Sequence, residues 1–270
     1  MMKRILSRGY LLLLLALLYA PIIVIAVFSF TEAKVMGNWT GFSTGIYEQL
    51  FSGKSVMIMK SVENTLLIAL IAAAVATLLG GIAAIGIYNM RHRQRRMIQF
   101  VNNIPMLNPD IITGVSLFVL FVFMGFTQGY TTVILAHVTF CTPYVVLSVM
   151  PRLMQMNPNI YEAALDLGAT PFQALRRVVM PEIRSGMISG FILSFTLSID
   201  DFAVTYFTKG SIGLETISTQ IYADSRKGGL SPEWRALSTI IFLAVLLLLL
   251  VINYRTMKHA HNRQSAIRAK

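Results

Sequence analysis

Three carboxylates, Asp110, Asp200 and Asp201, fall within otherwise apolar stretches of this chain. An ionised side chain in hydrocarbon costs several kcal/mol and persists only where it faces a cavity or a partner. The surrounding runs contain no Lys or Arg, so the countercharge has to come from a substrate, an ion or another subunit. A linear polyamine meets that need. Its ammonium groups suit the carboxylates, and its methylene stem suits aromatic rings such as Phe195, Phe202 and Tyr206, which add cation–π attraction. Successive helical residues point about 100° apart, so one of Asp200 and Asp201 is expected on a pathway and the other against a neighbouring helix. The alternative is that the acids are neutral and hydrogen-bond between helices. His137 has no companion ligand nearby in the sequence and is read as an interhelical hydrogen-bonding residue, not a metal site. Phosphate-loop, zinc-protease and nucleophile-elbow motifs are all missing from the sequence, so neither ATP hydrolysis nor another catalysis is encoded and no catalytic or metal-binding residue is assigned.

A second stretch with chemical potential is polar, Asn157 to Pro181. Asn157 is placed as an N-cap with Pro158 at the first helical position, and Gly168 stands where a left-handed residue closes a helix. Thr170 and Pro171 repeat the start signal, and Pro181 is expected to stop the second helix. Two short helices meeting at Gly168 result. Ala163 and Ala164 make a smooth ridge able to enter a groove on a partner. Glu162 and Asp166, four apart, form an acidic stripe that Arg176 and Arg177 can neutralise.

The elements that position these residues follow from composition. The 270 residues are 55% hydrophobic and 13% charged, about half the charge of a soluble domain, which indicates a polytopic, all-α membrane protein. Apolar stretches near the ~20 residues needed to cross ~30 Å of hydrocarbon occur at Tyr10–Phe30, Val62–Tyr88, Met97–Gly125 (interrupted by Pro105 and Pro109), Thr131–Met150, Ser185–Phe207 and Ala236–Tyr254. Six transmembrane helices are therefore expected. Ala76, Gly80 and Ala84 recur at four-residue spacing in the second, a face suited to close helix packing. Arginines cluster at 91, 93, 95 and 96, flank the polar insert at 152 and 184, and join lysines at both chain ends. By the positive-inside rule these segments and both termini are cytoplasmic, leaving Thr31–Ser61 and Thr208–Arg235 outside. The net charge of +11 is explained by that topology, and no nucleic-acid partner is implied. Cys141 is the only cysteine, so an intrachain disulfide is excluded. The whole of 1–270 reads as one membrane domain, with 151–183 as a cytoplasmic loop within it.

Glu162, Ala163, Ala164, Gly168 and Pro181 match, in spacing, the EAA loop of ABC importer permeases: Glu-Ala-Ala, three residues, Gly, nine residues, Ile-x-Leu-Pro. Val178 and Met180 replace the Ile and Leu with other apolar residues. The segments Ser194–Phe207, Asn108–Phe121 and His137–Val146 resemble permease subunits of polyamine importers. The resemblance implies a type I importer fold and a subunit forming half of a spermidine/putrescine pathway in a bacterial inner membrane. It implies a second, homologous permease and an extracytoplasmic polyamine-binding protein received by the external segments. It also implies a pair of ATPase subunits that bind ATP and magnesium and couple through the EAA residues; this chain is expected to bind no cofactor. An importer of another cationic or small organic solute, and an ion-coupled secondary transporter with the aspartates as proton or sodium sites, remain the alternatives.

Overall fold

The computed structural model describes residues 2–250 apart from 34–36, 54, 158, 212, 228–229 and 248–249, with the backbone alone for 2–8. The helices are α1 Met2–Phe28, α2 Gly45–Phe51, α3 Val56–Tyr88, α4 His92–Leu107, α5 Asp110–Phe123, α6 Tyr130–Gln155, α7 Asn159–Asp166, α8 Pro171–Ala174, α9 Met180–Asp200, α10 Ala203–Thr208 and α11 Ile217–Arg226. Residues 233–247 form a further helix, α12. Among the described residues there is no strand. Four runs are long and apolar enough to cross a membrane, Gly9–Phe28, Val56–Tyr88, Tyr130–Gln155 and Pro171–Asp200, and the bent pair α4–α5 makes five if it counts as one. The expected sixth span, Ala236–Tyr254, starts in α12 and continues past the described residues. The basic tail, Pro158, Lys34 and Lys54 also lie outside them.

The chain divides into two compact units, Met1–Met59 with Ala223–Lys270, and Lys60–Tyr222. In the first, the end of α1 is tied down by polar and aromatic contacts. Ser29 Oγ lies 2.7 Å from the Tyr47 hydroxyl, Phe30 stacks on Phe42 at 5.5 Å, and Thr40 N donates to Thr31 Oγ1 at 3.2 Å. Arg235, 5% exposed, donates to the carbonyls of Phe28, at 3.2 Å, and Ala33. A buried guanidinium thus satisfies the carbonyl of the last residue of α1, the position at which a helix favours a cation, and one in the segment that follows.

The second unit is organised on α6. Ala76 and Ala84 of α3 are fully buried, and a Cβ on Gly80 would lie 2.6 Å from the Val145 Cβ. From α9, a Cβ on Gly186 would lie 2.9 Å from the Ser148 carbonyl oxygen, and one on Gly190 3.2 Å from Val145 Cα. Glycines on two helices therefore let their backbones close on the same stretch of α6, which is how helices associate where water supplies no drive.

Three elements depart from the sequence expectation. The third span, expected to be interrupted at both prolines, keeps Pro105 inside α4 and breaks only at Pro109, where two helices meet at 104°. Pro109 disfavours a helical residue before it, and Asn108 and Pro109 are both extended, with ψ of 141° and 138°. Pro181 does not stop its helix. A π turn at Leu175–Val179 joins α8 to α9, with Met180 N bonding to the Leu175 carbonyl. That wider turn shifts the register just ahead of the proline, easing the clash its ring makes with the carbonyl four residues back. Finally, the fifth span breaks at Asp201–Phe202, and the chain re-forms a short helix, α10.

Candidate functional site

The break between α9 and α10 separates two adjacent acids. Asp201 is extended, with ψ 132°, and turns its carboxylate inward, where 6% of the side chain is exposed. Oδ1 accepts from Val204 N at 3.1 Å, and Oδ2 from Thr205 N and Oγ1, each at 2.8 Å. It caps α10, since the first N–H groups of a helix have no partner within it. His137, 1% exposed, brings Nε2 to 3.4 Å from Oδ2 of Asp201. The same Nε2 is 2.9 Å from Thr205 Oγ1, and Nδ1 is 2.6 Å from Ser198 Oγ. One imidazole on α6 therefore bonds to both α9 and α10, the interhelical role expected of it. The Asp201 carbonyl accepts from Ser218 Oγ at 2.7 Å.

Asp200, the last residue of α9, is exposed. Phe202 follows the break and packs against Tyr206 at 5.4 Å and Tyr222 at 5.0 Å, with Tyr206 and Tyr222 5.5 Å apart. The three rings form a closed triangle, and Tyr206 and Tyr222 each keep 37% of their surface open. Lys209 Nζ lies 5.9 Å from the centre of the Tyr206 ring and pairs with Glu215. Phe195 lies on α9 and stacks with Phe191 at 6.1 Å, apart from this triangle.

Asp110 is exposed in the first turn of α5, where the helix N-terminus favours a negative charge. It stands just past the 104° bend between α4 and α5.

The polar insert closes as its spacing predicts. Asn157 Oδ1 accepts from Asn159 N at 3.0 Å. Gly168 has φ +88°, and its N–H and that of Ala169 bond to the carbonyls of Leu165 and Ala164 at 2.9 and 3.0 Å, a Schellman closure. Thr170 and Gln173 cap each other reciprocally at α8, a capping box. Glu162 and Ala163 are exposed and Ala164 half-buried. Among the described residues, neither Glu162 nor Asp166 pairs with Arg176 or Arg177. A cavity of about 660 Å³ behind the insert is lined by Tyr88, Asn89, Met156, Tyr161, Glu162 and Phe172, among others. Leu167 and Phe172, 89% and 69% exposed, flank the junction.

The sequence profile of the binding-protein-dependent transport system inner membrane components matches residues 76–260. This chain belongs to that family. A Haemophilus influenzae relative, the spermidine/putrescine transport system permease protein PotC, is 35% identical over 97% of this chain and all of its own length. The Escherichia coli K12 protein of the same name is 37% identical over 93% of each chain. The putrescine transport system permease protein PotI of that strain is 38% identical over 87% of this chain and 85% of its own. Among solved structures, a bacterial ABC transporter that imports alginate aligns over 94% of this chain and 96% of its own, with TM-score 0.69 at 15% identity. The MetNI methionine ABC transporter aligns over 74% and 94%, with TM-score 0.59 at 19% identity. The structural likenesses fix a permease fold shared with ABC transporters and say nothing of the solute. Permease subunits of this family are not themselves enzymes.

Sequence reasoning anticipated the inserted loop, the small-residue face and the aromatic character after Asp201. It missed Ser198 and Thr205 as partners of His137, Tyr222 as the third ring, and the Lys209–Glu215 pair. Ser198 and Thr205 carry a weak signal, small hydroxyls facing a lone intramembrane histidine. Tyr222 carries none, because the chain returns to Phe202 only after 19 intervening residues, by way of α10 and the first turns of α11.

Proposed function

We propose that this chain is one of two permease subunits in an ATP-driven importer of spermidine and putrescine, spanning a bacterial inner membrane with both termini cytoplasmic. The observation that carries the reading is full-length identity of 35% to 37% with permeases of that named transport system, on a chain whose intramembrane acid opens beside an aromatic triangle. Asp110 and Asp200 hold ammonium groups of the solute, while Phe202 and Tyr206 pack its methylenes and stabilise its charge. Asp201 serves the same pathway from behind, keeping the α9–α10 break in place so that Asp200 faces outward. A homologous permease supplies the other half of the pathway, and an extracytoplasmic polyamine-binding protein delivers the solute to the external segments.

The energy enters through partner ATPases, which hold ATP and magnesium. Glu162, Ala163, Ala164 and Gly168 form the coupling surface, to which the exposed Leu167 and Phe172 add apolar contacts. Pro181 marks the point where that surface passes into the long helix leading to Asp200. ATPase closure at the insert is thereby transmitted along α9.

The deciding experiment is purification of the tagged chain from its own membrane, followed by reconstitution and ATP hydrolysis with spermidine-loaded binding protein. A co-purifying pair of ATPases and a second permease, with hydrolysis stimulated by spermidine, is the expected result. A chain that takes up solute on an ion gradient without ATP makes the aspartates ion sites and ends this reading.

A further inference from the structure

We infer that Lys209 is a tethered stand-in for the substrate's ammonium, occupying the aromatic mouth of the pathway until an incoming polyamine displaces it. This deepens, and rests on, the polyamine reading above. A lysine side chain is a flexible four-carbon stem bearing a primary ammonium, an aminobutyl group, which is the repeating chemistry of the polyamines themselves. Its Nζ lies 5.9 Å from the Tyr206 centroid, inside the ~6 Å range at which a ring face attracts a cation. That ring is shared with Phe202 at 5.4 Å and Tyr222 at 5.5 Å, so the lysine stands where the proposed substrate contacts converge.

The carboxylate that holds it is built in, not incidental. The Glu215 carbonyl accepts from Asn64 Nδ2 at 2.8 Å, and the Asn64 Oδ1 accepts from the Tyr130 hydroxyl at 2.6 Å. Ile217 N donates to Thr65 Oγ1 at 2.9 Å. The segment is thus fixed on α3 and α6. Lys209 donates to Glu215 Oε1, while Oε2 is buried without a hydrogen-bond partner among the described residues. A buried acceptor left open is uncommon and calls for a reason. The lysine is tied six residues from Glu215 and reaches one oxygen. A free primary ammonium, with three donors and no tether, is able to bridge both and keep the ring contact. With the lysine and glutamate side chains 12% and 23% exposed, the released ammonium can reach water as the substrate enters.

The test is equilibrium binding of radiolabelled spermidine to the purified permease–ATPase complex without its binding protein, in wild type, K209M, E215Q and the double variant. Methionine keeps the stem and removes the charge. A displaced competitor predicts that K209M binds spermidine about three- to tenfold more tightly, the scale of one cation–π contact, that E215Q binds it more weakly, and that the double variant is weaker than K209M. An ordinary structural ion pair predicts the opposite pattern: K209M alone lowers yield and affinity by burying an unpaired Glu215, and the double variant recovers both. That pattern, or an unchanged affinity in K209M, overturns the inference while leaving the polyamine reading intact. Proteoliposomes of the wild-type complex that take up neither spermidine nor putrescine sink both.

Discussion

Replacing Asp200 and replacing Asp201 should fail in different ways, although the residues are neighbours in sequence and identical in chemistry. Asp201→Ala removes an acceptor used by two backbone N–H groups, one hydroxyl and the approach of His137 Nε2 at 3.4 Å. Loss of a helix cap costs about 1 kcal/mol, and each buried donor left unmet costs about 1–3 kcal/mol. Overlap among these terms brings the total to roughly 3–5 kcal/mol, the range for removing one member of a buried charged pair. At about 2–4 °C per kcal/mol for a chain of this size, the melting temperature should fall by on the order of 10 °C. Asp201→Asn retains an acceptor and should cost about half as much, because its amide nitrogen faces one of the donors it must replace.

Asp200→Asn removes a charge from an exposed side chain and should move stability by less than about 0.5 kcal/mol. Its effect belongs to transport. A charge-assisted hydrogen bond to an ammonium is worth about 1.5–3 kcal/mol, which corresponds to roughly 10- to 100-fold in spermidine affinity. The assay pairs thermal unfolding of the solubilised complex, followed by size-exclusion chromatography, with spermidine binding on the same preparations. Equal melting temperatures for Asp201→Ala and wild type would refute the capping argument. Wild-type affinity in a well-folded Asp200→Asn complex would refute charge recognition at that position.

Gly80→Val places new atoms where a Cβ alone already lies 2.6 Å from Val145 Cβ; the overpacking should cost about 1–3 kcal/mol or more, and V145A in the same chain should recover part of the lost thermal stability. Gly168→Ala forces φ +88° on a residue with a side chain, at about 1–2 kcal/mol, and should raise ATP hydrolysed per spermidine imported while the complex still assembles; an unchanged ratio removes Gly168 from the coupling surface. Arg235→Met leaves the carbonyls of Phe28 and Ala33 without their donor at about 1–3 kcal/mol each. Arg235→Lys should restore little of that thermal stability, because a single ammonium lacks the fork that serves two acceptors at once.

What was legible in the sequence was whatever acts locally. Asn157, Gly168 and Thr170 each announce a backbone event within a few residues, and each occurs. The Ala76–Gly80–Ala84 face was legible because helical period alone puts those residues on one side. Pro181 misled for a physical reason: its ring clashes with the carbonyl four residues back in a regular α-helix, a π turn just ahead relieves that clash, and nothing in the residues themselves chooses between stopping and widening. The split between Asp200 and Asp201, one open and one against a neighbouring helix, was expected, but from a helical step of 100° where the chain is in fact extended at Asp201. Asp201 is a good helix cap as well as an intramembrane acid, and only the partners contributed by α6, His137 above all, favour the cap. Glu215, held by Asn64 from 151 positions away, depends on tertiary contacts that no local pattern encodes.

The continuity of Pro171–Asp200 bears on the coupling role proposed for the insert. Were the chain to stop at Pro181, motion at the insert would be absorbed by a loop before reaching the membrane. Instead, 30 residues run unbroken from the Thr170 cap to Asp200, a rod of about 45 Å at 1.5 Å per residue. Its soft place is the π turn at Leu175–Val179, between the insert and the buried glycines Gly186 and Gly190 that press against α6. A displacement imposed on the insert must therefore either flex that turn or slide the rod along α6. In the second case it arrives at the α9–α10 break, where His137 and Asp201 decide whether the rings of Phe202 and Tyr206 follow Asp200 or remain with α10. On the proposed reading, that junction is where mechanical work becomes a change in the solute's surroundings. It also explains why an acid unavailable to the substrate stands beside one that is open to it.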